Sequence, residues 1–169
     1  MERPHDYESI TTLYISDKNL TELPSWISEC KKLKKLHCSC NMLKRLDNLP
    51  QTLEYLVCSN NQITHLNNLP LKLKKLYCYN NKITCLDNLP QTLKILKCSN
   101  NKITKLDNLP QTLEILHCQY NQIEKLNNLP ETINLLCCVL NPLEYDFEPT
   151  LENIRNYNIQ NQNNQIKNT

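Results

Sequence analysis

Hydrophobic residues recur along this chain with a period of 20 residues, as the spacing from Leu36 to Leu56 shows. One repeat reads Leu33-x-x-Leu36-x-Cys38-x-x-Asn41-x-Leu43-x-x-Leu46-x-x-Leu49-Pro50. Later repeats keep the same frame, and their asparagines are Asn61, Asn81, Asn101, Asn121 and Asn141. Upstream, a less regular opening repeat of 23 residues (Leu13 to Leu36) contains Ile10, Leu13, Ile15 and Leu20. A fixed period of this length indicates a stack of structural repeats.

Each repeat predicts one short β-strand and an extended return segment. The alternation Leu36-x-Cys38 is the period-2 pattern of a strand with one buried face. Twenty residues are too few for a strand, a long helix and the return, and the repeated Leu-Pro favours extended backbone. The asparagine after the strand can bond backbone groups of its own turn and of the neighbouring repeat. We therefore predict an α/β solenoid with about seven parallel strands and with extended or 3₁₀ segments on the other side.

These residues resemble the leucine-rich-repeat family, whose strand segment reads Leu-x-x-Leu-x-Leu-x-x-Asn/Cys-x-Leu. The short repeat with Leu-Pro is similar to the subclass in bacterial effectors of the YopM and IpaH type. The Asp-Asn-Leu-Pro wording and a composition typical of AT-rich genomes are also similar to repeat proteins of giant, mimivirus-like viruses. The resemblance covers about residues 10 to 145. It implies a parallel sheet on a concave face whose outward residues bind a partner. The IpaH ubiquitin-ligase domain is not carried over, because the sequence after the last repeat is too short for it.

The end of the repeat pattern divides the chain into three parts. We predict a leucine-rich-repeat solenoid over residues 1–145, a C-terminal cap over 146–159 and an Asn/Gln-rich flexible tail over 160–169. The outward residues of the last repeat turn apolar and need cover: Leu135, Cys137, Val139 and Leu140. The following segment could fold back over this end, which we favour, or two chains could cover each other's ends in a homodimer.

Composition narrows the picture further. The chain has no glycine and no alanine, so asparagine must supply the left-handed backbone positions that glycine usually takes. A net charge of +2 gives no global argument for a nucleic-acid or membrane partner. The start is polar and no apolar run approaches the length of a membrane span. We expect a cytoplasmic protein, in the host cytoplasm if it is viral.

Six of the ten cysteines fall once per repeat, at the second inward strand position: Cys38, Cys58, Cys78, Cys98, Cys118 and Cys138. Adjacent parallel strands lie ~4.8 Å apart, so these thiols should line up inside the core as small hydrophobes. Their side chains run parallel, which suits neither disulfides nor a tetrahedral zinc site. Cys30, Cys40, Cys85 and Cys137 share no position, and His37 with Cys40 is the one weak metal hint. We predict no metal and no cofactor.

No constellation of catalytic residues can be nominated. Without glycine there is no Gly-dependent phosphate loop and no nucleophile elbow. Asp47, Asp87 and Asp107 repeat at one position of the return segment, which makes them features of the repeat. We predict that the protein is not an enzyme.

Candidate binding residues stand at the outward positions in and just after the strands: Lys35, Tyr55, Lys75, Tyr77, Tyr79, Lys97, His117 and Tyr120. Tyrosine with lysine suits an acidic protein surface, and also the stacking and phosphate contacts of single-stranded nucleic acid. A lysine-rich chain also places lysine on any solvated face, as Lys82 and Lys102 on the convex side illustrate.

Our first hypothesis is a non-catalytic protein–protein interaction module with a Lys/Tyr-rich concave face, in a viral or effector protein acting on a host factor. Binding of nucleic acid or another polyanion through the same face is an alternative, ranked lower because no recognised nucleic-acid motif accompanies the charge. A self-associating structural component is the third.

Overall fold

The computed structural model describes residues 2–167, in which a seven-stranded parallel sheet is followed by a helix. The strands are β1 (Thr12–Tyr14), β2 (Lys35–His37), β3 (Tyr55–Val57), β4 (Lys75–Tyr77), β5 (Ile95–Lys97), β6 (Ile115–His117) and β7 (Leu135–Cys137). Their order in the sheet is their order in the chain. A 3₁₀ helix (Ser25–Glu29) lies in the first repeat, and helix α1 (Leu151–Lys167) follows the last. The predicted solenoid of parallel strands is confirmed.

The strands pair in register, so each repeat places the same positions in the core. Leu56 is paired with Leu36 on one side and with Leu76 on the other. These middle residues are fully buried. Because side chains alternate along a strand, the first and third residues of each strand point to the opposite side of the sheet. The sheet therefore has one buried face and one face with two outward residues per strand.

A column of asparagines joins each repeat to the one before it. Asn101 Nδ2 donates to the carbonyls of Cys78 and Cys98, both at 3.0 Å, and of Ser99 at 3.2 Å. Its Oδ1 accepts from the backbone N–H of Ile83 at 2.9 Å. Equivalent asparagines bond their own turn and the preceding repeat: Asn41, Asn61, Asn81, Asn121 and Asn141. The predicted role of this residue is confirmed, and it satisfies backbone groups that water cannot reach.

Left-handed backbone is supplied without glycine. Thirteen residues of the described chain have a positive φ angle, and nine of them are asparagine. One set follows the strands and another lies in the return turns; examples are Asn100 at φ 52° and Asn108 at φ 57°. Asparagine tolerates this conformation because its short polar side chain bonds locally. The prediction that asparagine replaces glycine is confirmed at these nine positions.

The return side of the 20-residue repeats is extended backbone, with two tight turns in most of the repeats. In the first such repeat these turns lie at residues 47–48 and 51–52. Leu49 and Pro50, between them, are buried. The 3₁₀ helix belongs to the longer opening repeat, where Trp26 and Ile27 are buried. Extended and 3₁₀ return segments were both predicted, and both occur.

The repeated cysteines lie in the core as free thiols: Cys38, Cys58, Cys78, Cys98, Cys118 and Cys138. Burial raises the pKa of Cys38 and of Cys78 to about 12, so both are uncharged thiols at neutral pH. The Cys98 thiol lies 3.4 Å from the carbonyl oxygen of His117, to which it donates. The predicted packing role of this column is confirmed.

Helix α1 packs against the last repeats. Ile154 is fully buried in the core. Arg155 Nη2 donates to the carbonyl of Ile133 at 2.8 Å, and Asn158 Nδ2 donates to that of Leu126 at 2.9 Å. The residues after β7 therefore use both apolar and polar contacts to attach to the solenoid.

The boundary predicted between residues 159 and 160 lies inside α1, which continues to Lys167. The division into cap and tail stays a prediction, and its residues 168–169 lie outside the described chain. The contacts of α1 leave three apolar residues of the last repeat exposed, namely Leu135 (46%), Val139 (57%) and Leu140 (62%). Within residues 2–167, no helix combines the length and the hydrophobicity of a bilayer-spanning segment.

Candidate functional site

We call the surface formed by the outward strand residues, and by the second and third residues that follow each strand, the strand face. All eight predicted binding residues lie on it. The first strand position carries Lys35, Tyr55 and Lys75, and the third carries Tyr77, Lys97 and His117. Tyr79 and Tyr120 follow β4 and β6.

Four side chains on this face form a continuous aromatic row across β1 to β4. Tyr14 stacks on His37 with ring centroids 4.6 Å apart, and His37 meets Tyr55 edge-on at 5.4 Å. Tyr55 meets Tyr77 edge-on at 5.3 Å, and Lys97 Nζ lies 5.0 Å from the centroid of Tyr77. Such ring pairs contribute about 0.5–1.5 kcal/mol each beyond their buried area. The row is thus preassembled and ends on a cation.

Tyr14 and His37 were not among the predicted binding residues. Both occupy the third strand position, the same position as Tyr77 and Lys97, and that shared position is the signal that could have identified them. Their contacts with residues of other repeats become visible only once the register is known.

Burial shifts the titration of the groups in and beside the row. It raises the pKa of Tyr55 to about 12, with a further contribution from Tyr77. Burial also lowers the pKa of His37, and the charge of Lys35 lowers it further. The pKa of His117 is lowered in the same way, by burial first and then by Lys97. Both imidazoles are therefore neutral at pH 7.

Lysines around the strand face fall into two groups. Glu54 pairs with Lys74 at 2.7 Å and with Lys34 at 3.5 Å, and Glu114 pairs with Lys94 at 2.7 Å. These residues stand just before the strands. Within residues 2–167, three lysines in the strands themselves form no ion pair: Lys35, Lys75 and Lys97. The strand face thus carries positive charge that no carboxylate of the described chain pairs with.

A depression of about 430 Å³ lies on this face at the C-terminal ends of β4, β5 and β6. Four predicted residues line it: Tyr79, Lys97, His117 and Tyr120. Its other lining residues are Asn80, Ser99, Asn100 and Gln119, and we call the depression the tyrosine pocket. Lys35 and Lys75 do not belong to it.

The polar groups of the tyrosine pocket are partly satisfied. Asn100 Nδ2 donates to Asn80 Oδ1 at 2.6 Å. The Ser99 hydroxyl donates to the carbonyl of His117 at 3.4 Å. By contrast, His117 Nε2 and Gln119 Oε1 are buried and have no hydrogen-bond partner among the described residues. Buried polar atoms are normally paired, so these two are exceptions that a ligand or water would satisfy.

The outward residues become aliphatic towards the C-terminal end of the sheet. We call Ile95, Ile115, Leu135, Val139 and Leu140 the apolar end. Ile95, Ile115 and Leu135 are partners in register on β5, β6 and β7. The strand face therefore joins an aromatic and basic half to an aliphatic half, and the tyrosine pocket lies beside β4 to β6, where the two halves meet.

Other parts of the surface are less distinctive. A depression of about 630 Å³ near the N-terminus is lined by Glu8 and Glu29 together with Lys31 and Lys32, so its charges balance. The residues 2–167 contain no group of three or more His, Cys, Asp or Glu side chains placed to hold a metal ion.

No protein-family model and no curated protein matches this sequence. Solved structures do match. The leucine-rich-repeat domain of a Shigella effector is 28% identical with a TM-score of 0.75, covering 82% of this chain and 62% of that chain. YopM from Yersinia pestis, a leucine-rich effector, is 32% identical with a TM-score of 0.76, covering 80% and 38%.

The functional domain of InlJ from Listeria monocytogenes is 35% identical with a TM-score of 0.72, covering 82% of this chain and 32% of that chain. Its structure is described as including a cysteine ladder, a feature similar to the buried cysteine column of this chain. The chain spans less than two thirds of the length of each of these three proteins. Together with the in-register strands and the asparagine column, these likenesses show that the chain has the leucine-rich-repeat fold, built from repeats of the short class.

Proposed function

We propose that this protein is a non-catalytic interaction module that binds a partner protein through its strand face. The observation that supports this most is the position of the lysines without ion pairs. Lys35 and Lys75 flank Tyr55 on neighbouring strands, and Lys97 ends the aromatic row at Tyr77. Aromatic residues are enriched in protein interfaces and contribute much of the binding energy, and lysines beside them complement an acidic partner surface.

The size of the strand face suits such a role. Seven strands at ~4.8 Å spacing give a surface on the order of 30 Å along the sheet. A standard interface buries roughly 800 Å² on each partner, which a surface of this length can supply.

The finer proposal is that the partner is a host factor and that the protein acts in the host cytoplasm as a bacterial or viral effector. Two similar structures support the effector role, because the Shigella and Yersinia proteins are both effectors. The proposed giant-virus origin rests only on the Asp-Asn-Leu-Pro motif of the repeats and on the amino-acid composition.

The test compares two triple variants of the tagged full chain in affinity purification from cells. Lys75→Ala/Tyr77→Ala/Tyr79→Ala alters the strand face, and Lys82→Ala/Lys102→Ala/Lys105→Ala is the control on exposed convex residues. We expect specific partners to fall at least 10-fold with the first variant and to be retained by the second. Thermal denaturation checks that both variants are folded. Equal recovery from the two variants would contradict the assignment of the face.

Nucleic-acid or polyanion binding through the same face is the second candidate, because the same lysines and aromatic rings favour it. It predicts binding of single-stranded RNA that weakens steeply with salt and is lost in the strand-face variant.

Self-association through the apolar end, including a homodimer, is the third candidate. It predicts a sedimentation coefficient that depends on protein concentration, and a monomer at high concentration argues against it.

A further inference from the structure

Building on the proposed function, we propose that the tyrosine pocket receives an acidic side chain of the bound polypeptide. Aliphatic residues two to four positions away from that side chain then contact the apolar end. The partner is thereby defined chemically, as a polypeptide in which aliphatic residues stand at a set spacing from an acidic residue.

The charge in the pocket is the first argument. Lys97 is half-buried and its ammonium group is held over the Tyr77 ring at 5.0 Å. No Asp or Glu lines the pocket, and no described carboxylate pairs with Lys97. A partly buried cation binds an anion more strongly than an exposed one does, because less water screens the pair.

The hydrogen-bonding groups of the pocket are the second argument. Tyr79 and Tyr120 line the pocket, and the tyrosine hydroxyl can donate a hydrogen bond. His117 Nε2 is buried without a partner in the described chain and can donate to an incoming oxygen. The volume of about 430 Å³ exceeds the need of one carboxylate, so a phosphorylated side chain fits as well. The chemistry shared by the two is an anionic oxygen.

The backbone at Tyr120 and Leu140 is the third argument. Both residues have left-handed φ angles, of 57° and 58°, in a column where Asn60, Asn80 and Asn100 take the same conformation. A bulky residue is less favourable than asparagine there. Both side chains are more than half exposed, so packing within the chain does not compensate. Such strain is typical of binding sites, and it marks Tyr120 in the pocket and Leu140 in the apolar end.

The spacing follows from the register. Lys97 on β5 is in register with Cys137 on β7, two strand spacings away, and Leu135 lies two residues before Cys137, so Lys97 and Leu135 are about 12 Å apart. An extended peptide crossing the strands advances about 3.3 Å per residue, so three to four residues cover this distance. Allowing for side-chain reach gives a separation of two to four positions.

The test selects phage-displayed random dodecapeptides on the immobilised full chain and measures the Kd of enriched peptides. We expect Asp or Glu two to four positions from Leu, Ile or Val. Lys97→Gln should weaken binding at least 10-fold, whereas Lys97→Arg should preserve it. Lys94→Gln is the matched control, because Lys94 lies in the same repeat, directly before β5, but is paired with Glu114, and it should change the Kd less than 2-fold.

Two further arms use the best peptide. Replacing its acidic residue by the corresponding amide should weaken binding at least 10-fold, and Lys97→Glu should be rescued by a lysine at that peptide position. Replacement by phosphoserine or phosphotyrosine distinguishes the carboxylate from the phosphate form of the anion. A thermal denaturation profile accompanies each variant.

The outcomes separate this inference from the proposed function. If Lys97→Gln leaves the Kd of the enriched peptides unchanged but Tyr77→Ala abolishes their binding, the inference is wrong and the protein-binding face stands. If no strand-face substitution changes the Kd, both the inference and the proposed function are wrong. If no peptide depends on Lys97 while a 12-nucleotide RNA does, the pocket serves nucleic acid and the inference is wrong.

Discussion

Leu96, in the middle of β5, is fully buried, whereas its neighbours Ile95 and Lys97 are half exposed. The same contrast holds for the whole sheet. The middle residue is leucine in all seven strands: Leu13, Leu36, Leu56, Leu76, Leu96, Leu116 and Leu136. The two outward positions carry eight different residue types in the same seven strands, from lysine and histidine to isoleucine and cysteine.

The difference separates two kinds of information in one chain. An inward position meets the same packing environment in every turn, so the same residue type suits it each time. An outward position meets solvent or a partner and carries no such constraint. Repetition therefore reports the fold, and departures from repetition report where binding residues lie.

Leu96→Ala should have the largest effect on stability. Removing a fully buried leucine costs about 3 kcal/mol in the free energy of unfolding, through lost transfer energy and an unfilled cavity. The control is Ile95→Ala, one residue away on the outward side, which should cost less than about 1 kcal/mol. Urea denaturation measures both, and similar costs for the two variants would contradict the assignment of inward and outward positions.

Asn101→Ala should rank second, at about 2–3 kcal/mol. The substitution removes bonds to the carbonyls of Cys78 and Cys98 and to the N–H of Ile83, which then lie buried without partners. The matched control is Asn127→Ala, which deletes the same side chain at an exposed position. Chemical denaturation of both variants tests whether the asparagine column stabilises the repeats more than an exposed asparagine does.

Leu140→Asn should stabilise the protein, by about 1 kcal/mol. Leu140 has a φ angle of 58°, and asparagine adopts this left-handed region at a lower cost than leucine does. Val139→Asn is the control, because Val139 is exposed beside it without a positive φ angle. A destabilised Leu140→Asn protein in the same urea titration would show that Leu140 packs within the chain and is not kept for a partner.

The smallest effect concerns pH. The pKa values of His37 and His117 lie below their ordinary value of 6.5, so the unfolded chain binds more protons in this range. Their contribution to stability is present above pH 6.5 and is lost as the pH falls through their folded-state pKa values. The double variant His37→Gln/His117→Gln should flatten the dependence of Tm on pH between 7 and 5, and an unchanged slope would contradict the assignment.

The fold could be predicted from the sequence because one 20-residue pattern, repeated in frame, fixes strand positions, register and core. The site could be predicted in part, since Tyr79, Lys97, His117 and Tyr120 were identified and do meet in one pocket. Ion pairs between side chains of neighbouring repeats could not be predicted from the sequence. Whether a lysine has an ion pair, as Lys94 does, depends on which residue stands 20 positions away and on side-chain conformation. Helix α1 was missed for a different reason, because its mostly polar sequence has no clear apolar period.

The asparagine column has a consequence for how the length of such a protein can change. Among the described residues, the Asn101 side chain bonds only its own turn and the turn before it, and β5 pairs only with β4 and β6. A tandem duplication of 60 nucleotides within the gene would therefore insert one complete turn that already fits both its neighbours. It would lengthen the strand face by ~4.8 Å and leave both ends of the solenoid unchanged. The same design that makes the core uniform thus lets the binding surface grow in whole steps, each bringing two new outward strand residues.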